Sequence, residues 1–433
     1  MIARFLAIAA LCAAPTLLAA QADTETTSFN DNGLMVILRR NTSNEVVSAN
    51  LFLLGGTQQL SPATQGIESF LLEASERGTR QFPGAAVRRI TAALGSTFTI
   101  DPSADWTAFG FTCIRTRFDS TWAIFADRIT APTLDSNEVE LVRARLITAA
   151  RGELSDPDPL VNHLADSLAY VGHPYSFDPT GTESTLRSIS VSALRRYEST
   201  QMVTSRMLLV VVGNIDRQHL EPLVQRTLAQ LPHGSYTWRA PGGPAQTGRA
   251  LVLRQAQLPT NYILGYYVGP RAGTPDYRAL RIATAVLSGR FFTEIRSRRN
   301  LSYEVDAPFV ERAIANGGVY VTTVDPNTTL SLMRTEINRL QRELIDPTGL
   351  ERLVQQFITD YFLKNETDHD QAAFLARAQI YDGDYRAASR FVDDLRRVTP
   401  DDVRRVAVTY MHDFRFVYLG NPAALDQSLL AQF

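Results

Sequence analysis

The chain has 433 residues, 45% of them hydrophobic and 20% charged, and no low-complexity tract interrupts it. That length exceeds what one hydrophobic core organises, so two or more domains are expected. A formal charge of −2 excludes the strongly basic footprint of a nucleic-acid or anionic-membrane partner; nearly every cation is arginine, with Lys364 the only lysine.

Arg4 precedes an apolar run from Phe5 to Ala20, and Ala20-Gln21-Ala22 is a small-x-small cleavage site. This pattern reads as a signal peptide over residues 1–22, cleaved after Ala22, because the run is too short for a membrane span and ends in small residues. It predicts a periplasmic or secreted protein. Leu11 stands where a small residue should precede a lipidated cysteine, so Cys12 does not read as a lipid anchor. With the leader gone, Cys113 is the one cysteine left and no intrachain disulfide can form. Its place in the apolar run 108–114 makes it a small buried hydrophobe. No later apolar run is long enough to cross a bilayer.

After the leader, strands are expected at 35–38 and 46–54, then helices at 66–76 and 85–94. Strands around 97–100 and 106–114 follow, then helices at 120–129 and 137–153. Asp156-Pro157-Asp158-Pro159 reads as a possible hinge. Near residue 200 comes Leu194-Arg195-Arg196, then Met202, then an apolar strand from Met207 that stops at Gly213-Asn214. Near the end Val403-Arg404-Arg405, Met411 and a strand that stops at Gly420-Asn421 repeat the arrangement. The offset is 209 residues from Leu194 to Val403 and 207 from Gly213 to Gly420. Such a period is too long for a solenoid and predicts two halves of similar fold. Turn formers from Pro232 to Pro244 mark the join. The expected layout is therefore an N-terminal half over 23–232, a linker over 233–247 and a C-terminal half over 248–433. In the second half, 250–254 and 261–268 read as strands, and 276–287, 329–342 and 348–363 as helices. Strand pairs and helix pairs in this order predict an α+β fold: two α/β-sandwich halves of about 200 residues, each a sheet with helices on one face.

The segment Gly66-Ile67-Glu68-Ser69-Phe70-Leu71-Leu72-Glu73-Ala74-Ser75-Glu76-Arg77-Gly78-Thr79 resembles the inverted zinc motif of the pitrilysin/insulinase family. That family's pattern is Gly, two residues, His-Phe-Leu-Glu-His, and Gly-Thr four residues later. Here the frame stays and the chemistry is gone. Ser69 stands for the first zinc-binding His, Leu72 for the catalytic Glu and Glu73 for the second His. Two histidines four apart lie on one helical face and can grip one zinc while a glutamate polarises its water; serine and leucine do neither. The resemblance places a third ligand, a glutamate, on a later helix, where 147–151 reads Ile-Thr-Ala-Ala-Arg. Nor do the six histidines (His163, His173, His219, His233, His369 and His412) offer a substitute, since no two are three or four apart. Glu68, Glu73 and Glu76 read as a solvated acidic face, and His369, between Asp368 and Asp370, as a solvated loop. No Gly-rich phosphate loop or serine-nucleophile elbow is present.

A second motif is complete. Gly289-Arg290-Phe291-Phe292, Glu294-Ile295-Arg296 and Asn300-Leu301-Ser302-Tyr303 are similar to the family's C-terminal signature. Asn300 replaces its glycine, a change that left-handed backbone geometry tolerates. The resemblance implies that Arg296 and Tyr303 bind substrate backbone near the scissile bond, where a phenol and a guanidinium donate to a developing oxyanion. Without it, Tyr303 begins a buried strand and Arg296 lies on a helix surface. In two-subunit members of the family one chain carries the zinc motif and the other the Arg/Tyr pair. The resemblance therefore implies a zinc-less subunit, with zinc in a sister subunit, acting on unfolded or short peptides that add as a strand to a sheet edge. Degenerate members also serve as structural subunits, so a non-enzymatic scaffold or peptide-binding protein is the second reading. An active peptidase with another metal site is the third, and the histidine spacing opposes it.

Overall fold

A computed structural model describes residues 26–245 and 248–433. The expected leader over 1–22, Cys12 included, lies outside the described residues, as do positions 246 and 247 of the linker. The first half runs β1 (Thr26–Asp31), β2 (Leu34–Arg40), β3 (Val46–Leu54), α1 (Ile67–Ser75), α2 (Ala86–Leu94), β4 (Thr97–Pro102), β5 (Trp106–Ile114), α3 (Phe118–Thr130), α4 (Ser136–Glu153), α5 (Pro157–Ala169), α6 (Glu183–Ser188), α7 (Val191–Gln201), β6 (Met207–Gly213) and α8 (Arg217–Arg226). The second runs β7 (Ala250–Gln255), β8 (Asn261–Arg271), α9 (Pro275–Phe291), β9 (Ser302–Asp306), β10 (Phe309–Val310), β11 (Ile314–Thr323), α10 (Pro326–Arg342), α11 (Pro347–Lys364), α12 (Asp368–Asp382), α13 (Ala387–Arg396), α14 (Pro400–Tyr410), β12 (Arg415–Gly420) and α15 (Gln427–Leu430).

The first sheet has the order β1-β2-β6-β3-β5-β4, and the second β10-β11-β8-β12-β7, with β9 also on β11. β6 lies parallel to β2 and antiparallel to β3; β12 lies parallel to β7 and antiparallel to β8. The repeated segments thus fill the same place in two sheets, which is the duplication the sequence announces.

On one face of each sheet sits that half's own helical layer. In the first half Phe70, Leu72, Phe109, Phe118, Trp122 and Phe125 close the core, with rings 5.2 Å apart at both Phe109–Phe125 and Phe111–Phe125. In the second, Leu280, Leu287, Phe291, Met333 and Ile337 pack against Phe414 and Phe416.

The other faces are covered by exchange, a feature the sequence reading did not contain. Ala372, Leu375, Ala376 and Ile380 of α12 pack on Ile37, Phe52, Leu208 and Val210 of the first sheet. Val161, Ala165 and Ala169 of α5 pack on Leu264, Tyr266 and Val417 of the second. The reason lies in the central strands. Met207–Gly213 and Arg415–Gly420 are buried at every residue, and an apolar run without alternation needs cover on both faces. Each half supplies that cover to its neighbour.

The exchange places the Asp-Pro stretch at the start of α5. Asp156 caps α5, accepting from the Asp158 N–H, and Pro157 opens the helix. In the linker the Trp238 indole donates to Ile380 O at 3.0 Å. His369 lies within the first turn of α12, not in a loop, and its neighbour Asp368 is buried and accepts from Asn41 of the first half at 2.8 Å.

Candidate functional site

The motif helix α1 starts from Gly66 at φ 81°, a left-handed entry where an added Cβ would sit 2.5 Å from Gly181 Cα. Glycine is required on both counts. Gly66→Ala is therefore expected to cost about 1–3 kcal/mol, read as a lowered urea midpoint with unchanged m-value; an unaltered midpoint would mean that the entry relaxes freely.

Along α1 every residue except Glu73 is buried. Ser69 is 5% exposed, and Leu72 is 1% exposed inside the first core. The position where the family holds its catalytic glutamate is thus occupied by core packing. Glu73 faces α4 and pairs with Arg145 at 2.7 Å. Where the family's third ligand would lie, Arg151 instead bridges to Glu183 of α6. A buried leucine, a serine and a carboxylate already neutralised by a guanidinium do not fit zinc, whose sites need converging N, S or O ligands. Among the described residues no group of three or more His, Cys, Asp and Glu is placed to hold a metal ion.

Glu68 and Glu73 of α1 and its C-cap Glu76 are not one solvated face. Glu68 is buried and pairs with Arg206 at 2.6 Å, the two side chains being 5% and 0% exposed. Tyr197 donates to the same carboxylate at 2.9 Å, and Arg206 also donates to Leu54 O at 2.7 Å. Burial by itself would depress the Arg206 pKa; Glu68 and Tyr197 outweigh it and hold the group above the usual arginine range. Burial first, and then the Glu68 charge, pushes the Tyr197 phenol well above its ordinary value. This cluster ties α1 to α7 and to the end of β3.

Arg296 and Tyr303 are brought together. α9 continues into one π-helical turn, Phe292–Ser297, and such turns re-aim side chains. The chain then bends at Asn300, whose φ of 51° is the left-handed geometry expected there. As a result the Arg296 guanidinium carbon lies 4.9 Å from the Tyr303 ring centre and 5.2 Å from that of Phe292. Tyr303 is 81% exposed on β9, so it is not the start of a buried strand. Neither side chain has a hydrogen-bond or ion-pair partner among the described residues, while Arg298 and Arg299 beside them are engaged by Glu294. The donors of the stacked pair are thus unused among the described residues. No hydrogen bond or ion pair among the described residues joins it to Ser69, Leu72 or Glu73.

A polar node between the halves escaped the sequence reading. Asp105, at the β4–β5 turn, is buried and accepts from the Tyr175 hydroxyl at 2.5 Å, the Tyr381 hydroxyl at 2.7 Å and the Ala313 N–H at 2.7 Å. Arg312 makes a two-pronged pair with Asp166, at 3.0 and 2.6 Å. One signal pointed there: Tyr170-Val171-Gly172 and Tyr381-Asp382-Gly383 are a second repeat, 211 residues apart, at the ends of the two exchanged helices.

Two family profiles match the chain, one described as Insulinase (Peptidase family M16) over residues 35–172, the other as Peptidase M16 inactive domain over residues 188–357. A mitochondrial-processing peptidase subunit beta from Blastocladiella emersonii is 22% identical over 400 residues, 88% of this chain and 85% of that protein. Subunit 1 of the human mitochondrial cytochrome b-c1 complex is 23% identical over 67% of this chain, and the match spans 59% of that subunit's length. A Bacillus subtilis protein described as an uncharacterized zinc protease is 20% identical, covering 87% of this chain and 93% of its own. Among solved structures, a peptidase M16 inactive domain from Pseudomonas fluorescens superposes with a TM-score of 0.85 at 15% identity, covering 93% of this chain and 99% of that one. A protease from Helicobacter pylori gives 0.83 at 16%, covering 92% and 100%. Both share the fold described above.

Proposed function

The chain belongs to the insulinase family of peptidases and carries that family's inactive-type domain, and from that premise we propose that it is an exported, zinc-less subunit that positions peptide substrate for a zinc-bearing sister subunit. One observation carries this reading: Arg296 and Tyr303 lie against each other, exposed and without partners among the described residues, while the metal motif is packed shut. In the assembly the sister chain supplies metal and base. The chemistry left to this chain is to bind and orient. The guanidinium offers a rigid fork of N–H donors and the phenol one O–H, both suited to a carbonyl oxygen that gains negative charge. That two relatives are named as subunits of multi-subunit proteins supports dependence on a partner.

The test is metal content together with cleavage of a quenched peptide, on the purified chain alone and mixed with a zinc-motif sister chain. We expect no bound zinc and no cleavage alone, with cleavage on mixing. Stoichiometric zinc and turnover by the single chain would overturn the reading. A stable complex without turnover would favour the scaffold reading instead. The export part is tested separately: the mature protein in the periplasm or medium should begin at Asp23.

A further inference from the structure

One histidine grips the contact region of the two halves with both of its ring nitrogens. His173 follows α5, is 7% exposed and caps the short turn Pro174–Ser176. Its Nδ1 accepts from the Tyr175 N–H at 3.1 Å, and its Nε2 lies 2.8 Å from the Gly242 carbonyl oxygen of the linker. A carbonyl only accepts and an amide N–H only donates, so Nε2 bears the proton and Nδ1 is bare. The ring is therefore neutral, with both nitrogens engaged by backbone. Tyr175 in turn donates to Asp105, the carboxylate that also takes the Tyr381 hydroxyl of α12 and the Ala313 N–H. The residue whose amide His173 holds is thus the one whose hydroxyl enters the node between the halves.

The surroundings oppose a charge on the ring. Tyr170 of α5 and Tyr175 flank it, with ring centres 5.3 and 4.7 Å away. Two charged groups face it: Asp105 from the β4–β5 turn, and Arg312 from the β10–β11 turn, itself paired with Asp166. Burial holds the ring below the ordinary histidine range; the Gly242 carbonyl and Asp105 pull the other way, and Arg312 adds to burial. A second proton would sit on Nδ1 and point at the Tyr175 N–H. Two donors would then face each other across 3.1 Å, while Nε2 kept its bond to Gly242. Only the Tyr175 side of the contact would give way.

We propose that His173 is an acid-sensitive latch between the halves: neutral, it joins the linker to the Tyr175–Asp105 node, and protonated, it releases Tyr175. Because the folded ring binds its second proton less readily, the stabilising contact is complete above the ordinary histidine value of about 6.5. It is lost as pH falls below that value and through the folded-state one. The latch needs neither metal nor peptide, and it stands apart from the functional reading above. Hydrogen exchange of segment 170–177 in the full chain, corrected for intrinsic rates, tests it at about pH 7.5 and about pH 5. Exchange at the lower pH should be about tenfold faster, the factor for one unit of difference in proton affinity between open and closed forms. His173→Asn keeps a capping acceptor for the Tyr175 amide and takes no proton, so there the acceleration should vanish. The same acceleration in His173→Asn would assign it to another group and overturn the latch, as would a parent chain indifferent to pH. A histidine NMR titration of the unaltered chain decides the matter if the variant does not fold. One of the six histidines must titrate below the ordinary value, at the midpoint of the exchange change, and none doing so overturns the proposal.

Discussion

Arg296→Ala should lower kcat of the reconstituted assembly by about 10²–10³-fold, the loss typical of one removed oxyanion donor, with little change in KM. The asymmetry follows from where the guanidinium stands. It is held between the Phe292 and Tyr303 rings at 5.2 and 4.9 Å and contacts no carboxylate. In the proposed assembly its donors would be engaged chiefly by charge developing on a substrate oxygen, and an interaction made mainly in the transition state appears in kcat. Arg296→Lys should recover little, because an ammonium neither stacks as a plane nor offers a fork. Tyr303→Phe keeps the ring under the guanidinium and removes only the hydroxyl, so its loss should be smaller. Both residues are exposed, and thermal unfolding of the variants should match the parent. Unchanged turnover in Arg296→Ala would remove the pair from the reaction and leave the scaffold reading.

Much of this architecture is visible in the residue order because periodicity reports faces. The duplicated strands ending at Gly213 and Gly420, the helical frame from Gly66 and the left-handed bend at Asn300 are each set by local chemistry. Partners are set by something else. Nothing in the spacing of Val161, Ala165 and Ala169 says that α5 covers the other half's sheet, although the unbroken apolar strand Leu208–Val212 says that some element must cover a second face. The glutamates of α1 show the same limit from the opposite side. At about 100° per residue, Glu68 points some 140° away from Glu73. One can be buried while the other meets α4, and only the position of Arg206, far along the chain, makes that burial tolerable. Asp105 is equally opaque: its three donors come from three segments brought together by the exchange.

Glu68→Ala should destabilise the chain by about 3–5 kcal/mol, the cost of leaving a buried charge without its counterion. Arg206 would remain 0% exposed in its side chain with Tyr197 and Leu54 O as its remaining neighbours. Replacing both charges, Glu68→Met with Arg206→Met, should return most of the loss, since a packed apolar pair avoids the desolvation that a lone ion suffers. Equilibrium urea unfolding of the two single variants and the double variant reads the coupling directly. A Glu68→Ala loss below about 1 kcal/mol, or a double variant no better than the single one, would show that the pair does not hold α1. The expected result would tie the frame of the motif helix to packing rather than to metal binding. Glu68 on one side of α1 and Leu72 in the core make the helix a fixed support for α4, α7 and β4. That support needs the Gly66-to-Thr79 frame and no metal ligand, so Ser69, Leu72 and Glu73 serve it as well as ligands would.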